Sequence, residues 1–344
     1  MRFHLEILAL FLALIAGCAG SMSLSPESPG HITADDSDSG AGFSWDSTQP
    51  DSISCKLRDQ FDPPAEYKWY PDILETNKVV VEQMYLTSTN GNQIFADVHR
   101  PKWASADMPC SALVLVPGGT QKGEVWHVPW RRSGSNHWAA AGFIVMDFDF
   151  QGRGKSEGVE DYYGPTHRED LKTVIEYCAS RPDVLPGGVG LVSSSFGVTV
   201  CSCTLGAYPD LPARFFIDLE GAQNRQVATQ FDDPTWIGYW GGHPTSDDAF
   251  WDEREAITYQ PFITAAYIRV QSDTDHAFDY FYVDHAIQMC NAAFLGSSPY
   301  VQMNHNPPNQ LLDELYEETY QYEDLDIIDE SLFMYVIEAS VSEF

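Results

Sequence analysis

Three consecutive serines, Ser193-Ser194-Ser195, close the stretch Gly188-Val189-Gly190-Leu191-Val192 and are followed by Phe196-Gly197 and a periodic segment, Val198 to Ala207. This reads as a strand, a tight turn and the start of a helix. Ser195 differs from its two neighbours because small residues stand both two before and two after it, Ser193 and Gly197. That spacing lets a strand and a helix pass closely around a strained turn that exposes one hydroxyl. A serine hydroxyl is a weak nucleophile until an imidazole removes its proton, and the imidazole needs a carboxylate to fix its tautomer and stabilise its charged form. Downstream, Asp275 and His305 are the candidates for those two roles. Asp273 and Asp218 are rival acids. His276, His285 and His243 are rival bases, but His276 adjoins the acid and His285 falls inside a predicted helix.

The elements that must carry these residues alternate. Val79 to Thr87 and Ile94 to Val98 are β-rich runs separated by Asn90-Gly91, a hairpin signal. Ala112 to Val116 is an apolar run of the kind buried on both faces, and Pro117-Gly118-Gly119-Thr120 follows it. A glycine pair beyond a strand can turn backbone N–H groups into a crevice, which is where an oxyanion hole is expected. A helix is expected from Arg132 to Ala141, a strand from Phe143 to Asp147, a helix from Thr166 to Arg181, and then the strand that ends at the serines. Gly152-Arg153-Gly154 lacks the spacing of a phosphate-binding loop and is read as a surface turn. Strands at Arg214 to Leu219, Ala265 to Val270 and Pro299 to Met303, with a helix from Tyr282 to Phe294, complete a mostly parallel sheet with right-handed crossovers. Ser195, Asp275 and His305 then all follow strands of one sheet.

Gln223 to Phe262 reads as a short cap over the carboxyl edge, and its Trp236 and Trp240 are candidate substrate-lining residues. Residues 311 to 344 form an acidic segment in which Leu332 to Ala339 should dock as a final helix. The folded domain is expected to span 55 to 344.

Met1 to Cys18 has one early arginine, an apolar run from Ile7 to Ile15, and the ending Ile15-Ala16-Gly17-Cys18, which resembles the lipobox of bacterial lipoproteins. Cys18 is then a lipid anchor, and the protein is exported to a bacterial cell envelope or, with ordinary signal cleavage, is secreted or periplasmic. Residues 19 to 54, rich in Ser, Asp and Gly, read as a disordered linker. With 19 Lys and Arg against 50 Asp and Glu, a net charge of -31, the chain is unsuited to nucleic acid. The six cysteines after Cys18 allow fifteen full pairings, and no spacing selects one. No Cys-x-x-Cys or paired-His spacing is present, so neither metal nor other cofactor is expected. The expected partner is a small-molecule or acyl substrate.

From Val79 to His305 the chain resembles serine hydrolases of the α/β-hydrolase superfamily, nearest to the Xaa-Pro dipeptidyl-peptidase-like and cocaine-esterase-like branch. The resemblance rests on Asn90-Gly91 with Ala96-Asp97-Val98-His99-Arg100-Pro101, on Pro117-Gly118-Gly119, and on Asp149-Phe150-Gln151-Gly152-Arg153-Gly154-Lys155-Ser156-Glu157-Gly158. The serine turn and the Asp275 and His305 segments complete it, in the order Ser, Asp, His used on that sheet. It implies an α/β fold with antiparallel amino-terminal strands, attack by Ser195 on a carbonyl, and oxyanion binding by backbone N–H groups of Phe196 and of Gly119 or Thr120. Ser193 departs from the family's glycine, and the family's large helical cap and carboxyl-terminal jelly roll have no room in this length. These departures favour carboxylic esters over dipeptides, with acyl thioesterase or peptidase activity as alternatives. A non-catalytic binding protein on the same fold is the reading from another class.

Overall fold

The computed structural model describes residues 78–127, 134–272, 275, 284–304 and 306–313, together with 332, 335, 336, 339, 340 and 342. The signal segment, the linker, Cys18, Cys55, Asp273, His276 and His305 lie outside the described residues.

The chain opens on β1 (Val79–Thr87) and β2 (Gln93–Pro101), paired antiparallel with Thr87 opposite Gln93. Then come β3 (Cys110–Val116), a 3-10 turn (Gly123–Trp126), α1 (Ser135–Ala140), β4 (Ile144–Phe148) and α2 (Pro165–Ser180). Next are β5 (Val184–Ser194), α3 (Gly197–Ala207) and β6 (Ala213–Leu219). Four short helices follow: α4 (Arg225–Ala228), α5 (Pro234–Tyr239), α6 (Asp248–Trp251) and α7 (Ala256–Tyr259), which runs into a 3-10 turn at Gln260–Phe262. The chain returns to the sheet as β7 (Ala266–Val270), α8 (Asp284–Leu295) and β8 (Val301–Met303).

The strands form one eight-stranded sheet in the order β1-β2-β4-β3-β5-β6-β7-β8. Only the β1–β2 and β2–β4 pairings are antiparallel, so six strands from β4 onward run parallel. Strands covered on both faces are mainly apolar, and all seven residues of β3 and all five of β4 and β7 are buried, the charged Asp147 and Arg269 among them. Alternate side chains feed two cores. Val114, Met146 and Leu191 join the core that packs against α2, α3 and the cap. Leu113, Val145 and Val192 join the other, with Trp138 of α1. Leu332, Tyr335, Val336 and Ala339, all helical, complete the second core at helical spacing.

The winding direction reverses between β3 and β5. From β3 the chain goes out to β4 on one side, then returns to place β5 on the other. In an open α/β sheet such a reversal leaves a crevice beyond the carboxyl ends of the two strands. Here those ends are Val116 and Ser194.

Candidate active site

β5 ends at Ser194 and α3 begins at Gly197, which leaves Ser195 and Phe196 to make the turn. Ser195 has φ of 52°, in the left-handed region that costs a non-glycine residue on the order of 1–3 kcal/mol. The neighbours that hold it there are small by necessity. A Cβ on Gly197 would meet the Pro117 carbonyl oxygen at 2.8 Å, and one on Gly118 would meet Ser195 Cβ at 2.8 Å. The Ser195 N–H donates to the Leu219 carbonyl at 2.9 Å, and Val198 N–H donates to the Ser195 carbonyl at 3.1 Å. Ser193 is wholly buried, whereas Ser195 is partly exposed, so burial separates the two serines as the flanking spacing does.

The segment from Pro117 to Gln121 lies against this turn and is gripped from behind. Tyr163 Oη donates to the Pro117 carbonyl at 2.7 Å, and Arg153 Nη1 donates to the carbonyls of Gly119 at 3.1 Å and Gln121 at 3.4 Å. The Gly119 carbonyl and the Thr120 N–H belong to one trans peptide, so the N–H is directed away from Arg153. Arg153 is only 5% exposed and forms a two-point ion pair with Glu160, at 2.7 and 2.8 Å, over the Tyr163 ring. The turn expected at Gly152-Arg153-Gly154 is present with both glycines exposed, but its arginine is buried rather than on the surface. Its arginine points inward because two carbonyls and one carboxylate await it.

His167 sits beneath the same tether, wholly buried and stacked on Phe150. Its Nδ1 accepts from the Tyr163 N–H at 3.1 Å and its Nε2 lies 2.9 Å from the Gln151 carbonyl, so the neutral ring satisfies both nitrogens. Burial, and then the Arg153 charge, push its pKa down to about 4 from an ordinary value near 6.5. A depressed histidine supplies stability that is complete above pH 6.5 and is lost as pH falls toward 4. Urea midpoints for the wild type should therefore drop between pH 7 and pH 4.5, and His167→Asn should flatten that drop. Parallel pH profiles for the two proteins would remove His167 as the cause.

The candidate acids separate clearly. Asp218 is wholly buried and committed: Oδ2 accepts from Arg269 Nη1 at 2.6 Å and from Tyr267 Oη at 2.7 Å, and Oδ1 accepts from the Gly221 N–H at 2.9 Å. Its role is to neutralise Arg269 inside the sheet. Asp275, 8% exposed, lies beyond β7, where Oδ2 accepts from Gln271 Nε2 at 3.1 Å and lies 3.2 Å from His285 Nε2. The structure thus brings one rival histidine, His285 at the start of α8, to the favoured acid. His243 pairs instead with Asp247 in the cap.

The residues on either side of position 305 are buried and tied to the acid's neighbours. Asn304 exchanges two hydrogen bonds with the Gln271 backbone, at 2.9 and 2.8 Å, and Asn306 N–H donates to Met303. Gln271 in turn holds Asp275. A further carboxylate, Glu220, follows β6 with φ of 51° and accepts from the Ser272 N–H at 2.9 Å. The sequence gives no role to Glu220, two residues after the rival acid Asp218.

Trp236 and Trp240 divide. Trp240 is 1% exposed, donates Nε1 to the Ala228 carbonyl at 3.1 Å, and packs between the Phe196 and Trp251 rings. It is core of the cap, which corrects its assignment as substrate-lining. Its size and N–H require burial with one acceptor, and the cap provides both. Trp236 is partly buried with its ring edge-on to Phe196 at 5.8 Å, and it stays a candidate for the site's rim. Cys110, Cys178, Cys201, Cys203 and Cys290 are free and buried, and burial raises their thiol pKa values, to about 12 for Cys178 and Cys203. None of them is a ready nucleophile. Among the described residues no helix is long and apolar enough to cross a membrane.

The X-Pro dipeptidyl-peptidase (S15) family matches residues 79–213, a segment that holds Ser195, Phe196 and the Pro117–Gln121 loop but neither Asp275 nor His305. No curated protein matches the chain. Among solved structures, the chain is similar to prolyl oligopeptidase B from Galerina marginata, at 14% identity and a TM-score of 0.57, over 82% of this chain and 40% of that one. It is similar to Porphyromonas gingivalis dipeptidyl peptidase 4 at 13% identity and a TM-score of 0.55, over 74% and 35%. An esterase from Pyrococcus furiosus gives 14% identity and a TM-score of 0.55, over 80% and 95%. The chain spans little more than a third of the length of the first solved structures it matches, at 35% and 37%. The fold is that of the α/β-hydrolases, and within it residues 79–213 are similar to the X-Pro dipeptidyl-peptidase family.

Proposed function

We propose that the chain is a serine hydrolase that works through an acyl-enzyme, with carboxylic esters as its favoured substrates. The observation that carries this reading is Ser195, partly exposed at φ of 52° on the strand-to-helix turn, with the Gly118 backbone against its Cβ. In the proposed reaction His305 takes the Ser195 proton as Oγ attacks the carbonyl carbon, and the N–H groups of Phe196 and of Thr120 or Gly119 bind the oxyanion. Asp275 orients the imidazole. The protonated histidine then gives its proton to the leaving oxygen, and water attacks the acyl-enzyme with the same histidine as base. No step calls for a cofactor.

The small cap supports ester substrates: only four short helices lie between β6 and β7, and the esterase neighbour is matched over 95% of its length. A peptidase reading is favoured by the family match and by the peptidase neighbours. Turnover of p-nitrophenyl esters, acyl thioesters and aminoacyl amides by the full chain separates these readings. Fluorophosphonate labelling tests the class itself, since a non-catalytic protein on this fold would not be labelled. His305→Ala should lose about 10³-fold or more in kcat, and His285→Ala far less. The reverse order would make His285 the base.

We also propose export, with Cys18 as a lipid anchor. Cys18→Ser should release the protein from membranes into the soluble fraction on expression in a bacterium that processes lipoproteins. Continued membrane retention would count against the anchor.

A further inference from the structure

We propose that Asp97, His99, His127 and Asp147 form a binding site for one divalent transition-metal ion of the zinc type. The first observation is electrostatic. Asp97 of β2 and Asp147 of β4 stand directly opposite each other in the antiparallel register, and they are 4% and 1% exposed. Like charges in facing positions destabilise a strand pair, and buried carboxylates demand a cation.

Two histidines converge on that carboxylate pair. His99, two residues after Asp97, shares its face of β2, and His127 follows the 3-10 turn. His127 Nε2 is 2.9 Å from Asp147 Oδ1 and 3.7 Å from Asp97 Oδ2, and His99 Nε2 is 3.2 Å from Asp147 Oδ2. One donor atom from each of the four lies within 4.8 Å of all the others. Ligand atoms about 2.0–2.1 Å from a tetrahedral ion are roughly 3.3 Å apart, close to these separations.

The second observation points to a ligand directly. His99 Nδ1 lies 2.8 Å from Asn136 Oδ1, so Nδ1 is the donor there and Nε2 is the nitrogen turned toward the carboxylates. That Nε2 is buried, meets no partner at good hydrogen-bond geometry, and faces an Asp147 carboxylate oxygen 3.2 Å away. In the neutral ring that nitrogen sets a lone pair against a carboxylate, a repulsion that a cation shared between them turns into attraction. The outer contacts resemble those that orient metal ligands. Ser135 Oγ donates to Asp147 Oδ2 at 2.7 Å, Gln83 Nε2 donates to Asp97 Oδ1 at 2.9 Å, and Asn136 holds His99. Two imidazoles and two carboxylates are a borderline donor set that suits zinc, and two carboxylates neutralise a divalent charge. His127, about one-third exposed, provides the entry path.

The ion's role is structural. His127 lies seven residues after Thr120, and between them the Gly123 N–H donates to Asp149 Oδ1 at 2.9 Å. Bound metal therefore clamps the exit of the Pro117–Gln121 loop to β2 and β4. The rival occupant is protons, with both imidazoles charged.

The test uses the full chain without a histidine tag, stripped with chelator and dialysed against zinc sulfate, then against buffer. Elemental analysis should find one zinc per chain, and cobalt(II) should give the visible absorption of a four-coordinate site. His127→Ala, at the exposed ligand and expected to fold by circular dichroism, should weaken zinc binding about tenfold or more. His99→Ala should do the same. Less than about a tenth of an ion per chain in the wild type, or unchanged zinc affinity in folded His127→Ala, would overturn the proposal.

Discussion

Ser195→Ala is expected to lower kcat by about 10⁴- to 10⁶-fold on whatever acyl substrate the wild type turns over, a loss of roughly 5–8 kcal/mol in transition-state stabilisation. The effect should be this large because the hydroxyl is the reacting atom and the remaining groups cannot form an acyl-enzyme without it. A residual rate above water would persist from the oxyanion donors and from binding. Folding should be unaffected, since alanine and serine tolerate the φ of 52° alike. Steady-state kinetics, a pre-steady-state burst and fluorophosphonate labelling give three independent readings of the same residue. A variant that kept more than about a tenth of wild-type kcat would remove Ser195 as the nucleophile, whatever the fold suggests.

The second large effect concerns stability. Arg269→Met should cost about 3–5 kcal/mol, because it leaves Asp218 charged in a site with no solvent exposure. Arg269 also donates to the Gly221 carbonyl at 2.8 Å and to Gln271 Oε1 at 3.0 Å, so its loss frees acceptors just beyond both β6 and β7. The double variant Asp218→Asn, Arg269→Met should be less damaged than Arg269→Met alone, since no buried charge remains unpaired. Urea unfolding of the four proteins of this cycle measures the coupling. Strictly additive effects would mean that the pair is not the source of the cost.

Much of this fold could be read from residue order alone, for a definite reason. Parallel strands buried on both faces, such as Ala112 to Val116, are continuous apolar runs, and helices such as Thr166 to Arg181 show their period. The glycine at 197 announced a close approach that the structure finds at the Pro117 carbonyl. Contacts between distant segments were less legible. Nothing local in Gly152-Arg153-Gly154 says that the arginine turns inward, because its partners Gly119, Gln121 and Glu160 are fixed only by the sheet order. The fate of Asp218 depends likewise on Arg269, 51 residues later, arriving on the next strand. Trp240 in a Gly-, Pro- and Asp-rich segment reads equally well as pocket lining or as the segment's own core.

The histidine and aspartate cluster was missed for another reason. Cys-x-x-Cys and paired histidines are the metal spacings that stand out in a sequence, whereas here the proposed ligands are Asp97 and His99 at a strand's period of two, joined by residues from β4 and from a turn. Asp-x-His within a predicted strand was the available signal, and it becomes specific only once β4 is known to lie beside β2.

Phe196 has one further consequence. Its backbone belongs to the serine turn, while its ring lies under Trp236 and Trp240 of the cap, at 5.8 and 4.8 Å. The part of the molecule that would select a substrate and the part that would meet the developing negative charge therefore touch at Phe196. Cap exchange in this scaffold, whether by evolution or by engineering, is therefore expected to shift turnover along with selectivity. A grafted cap would have to repack against the Phe196 ring that the serine turn supplies.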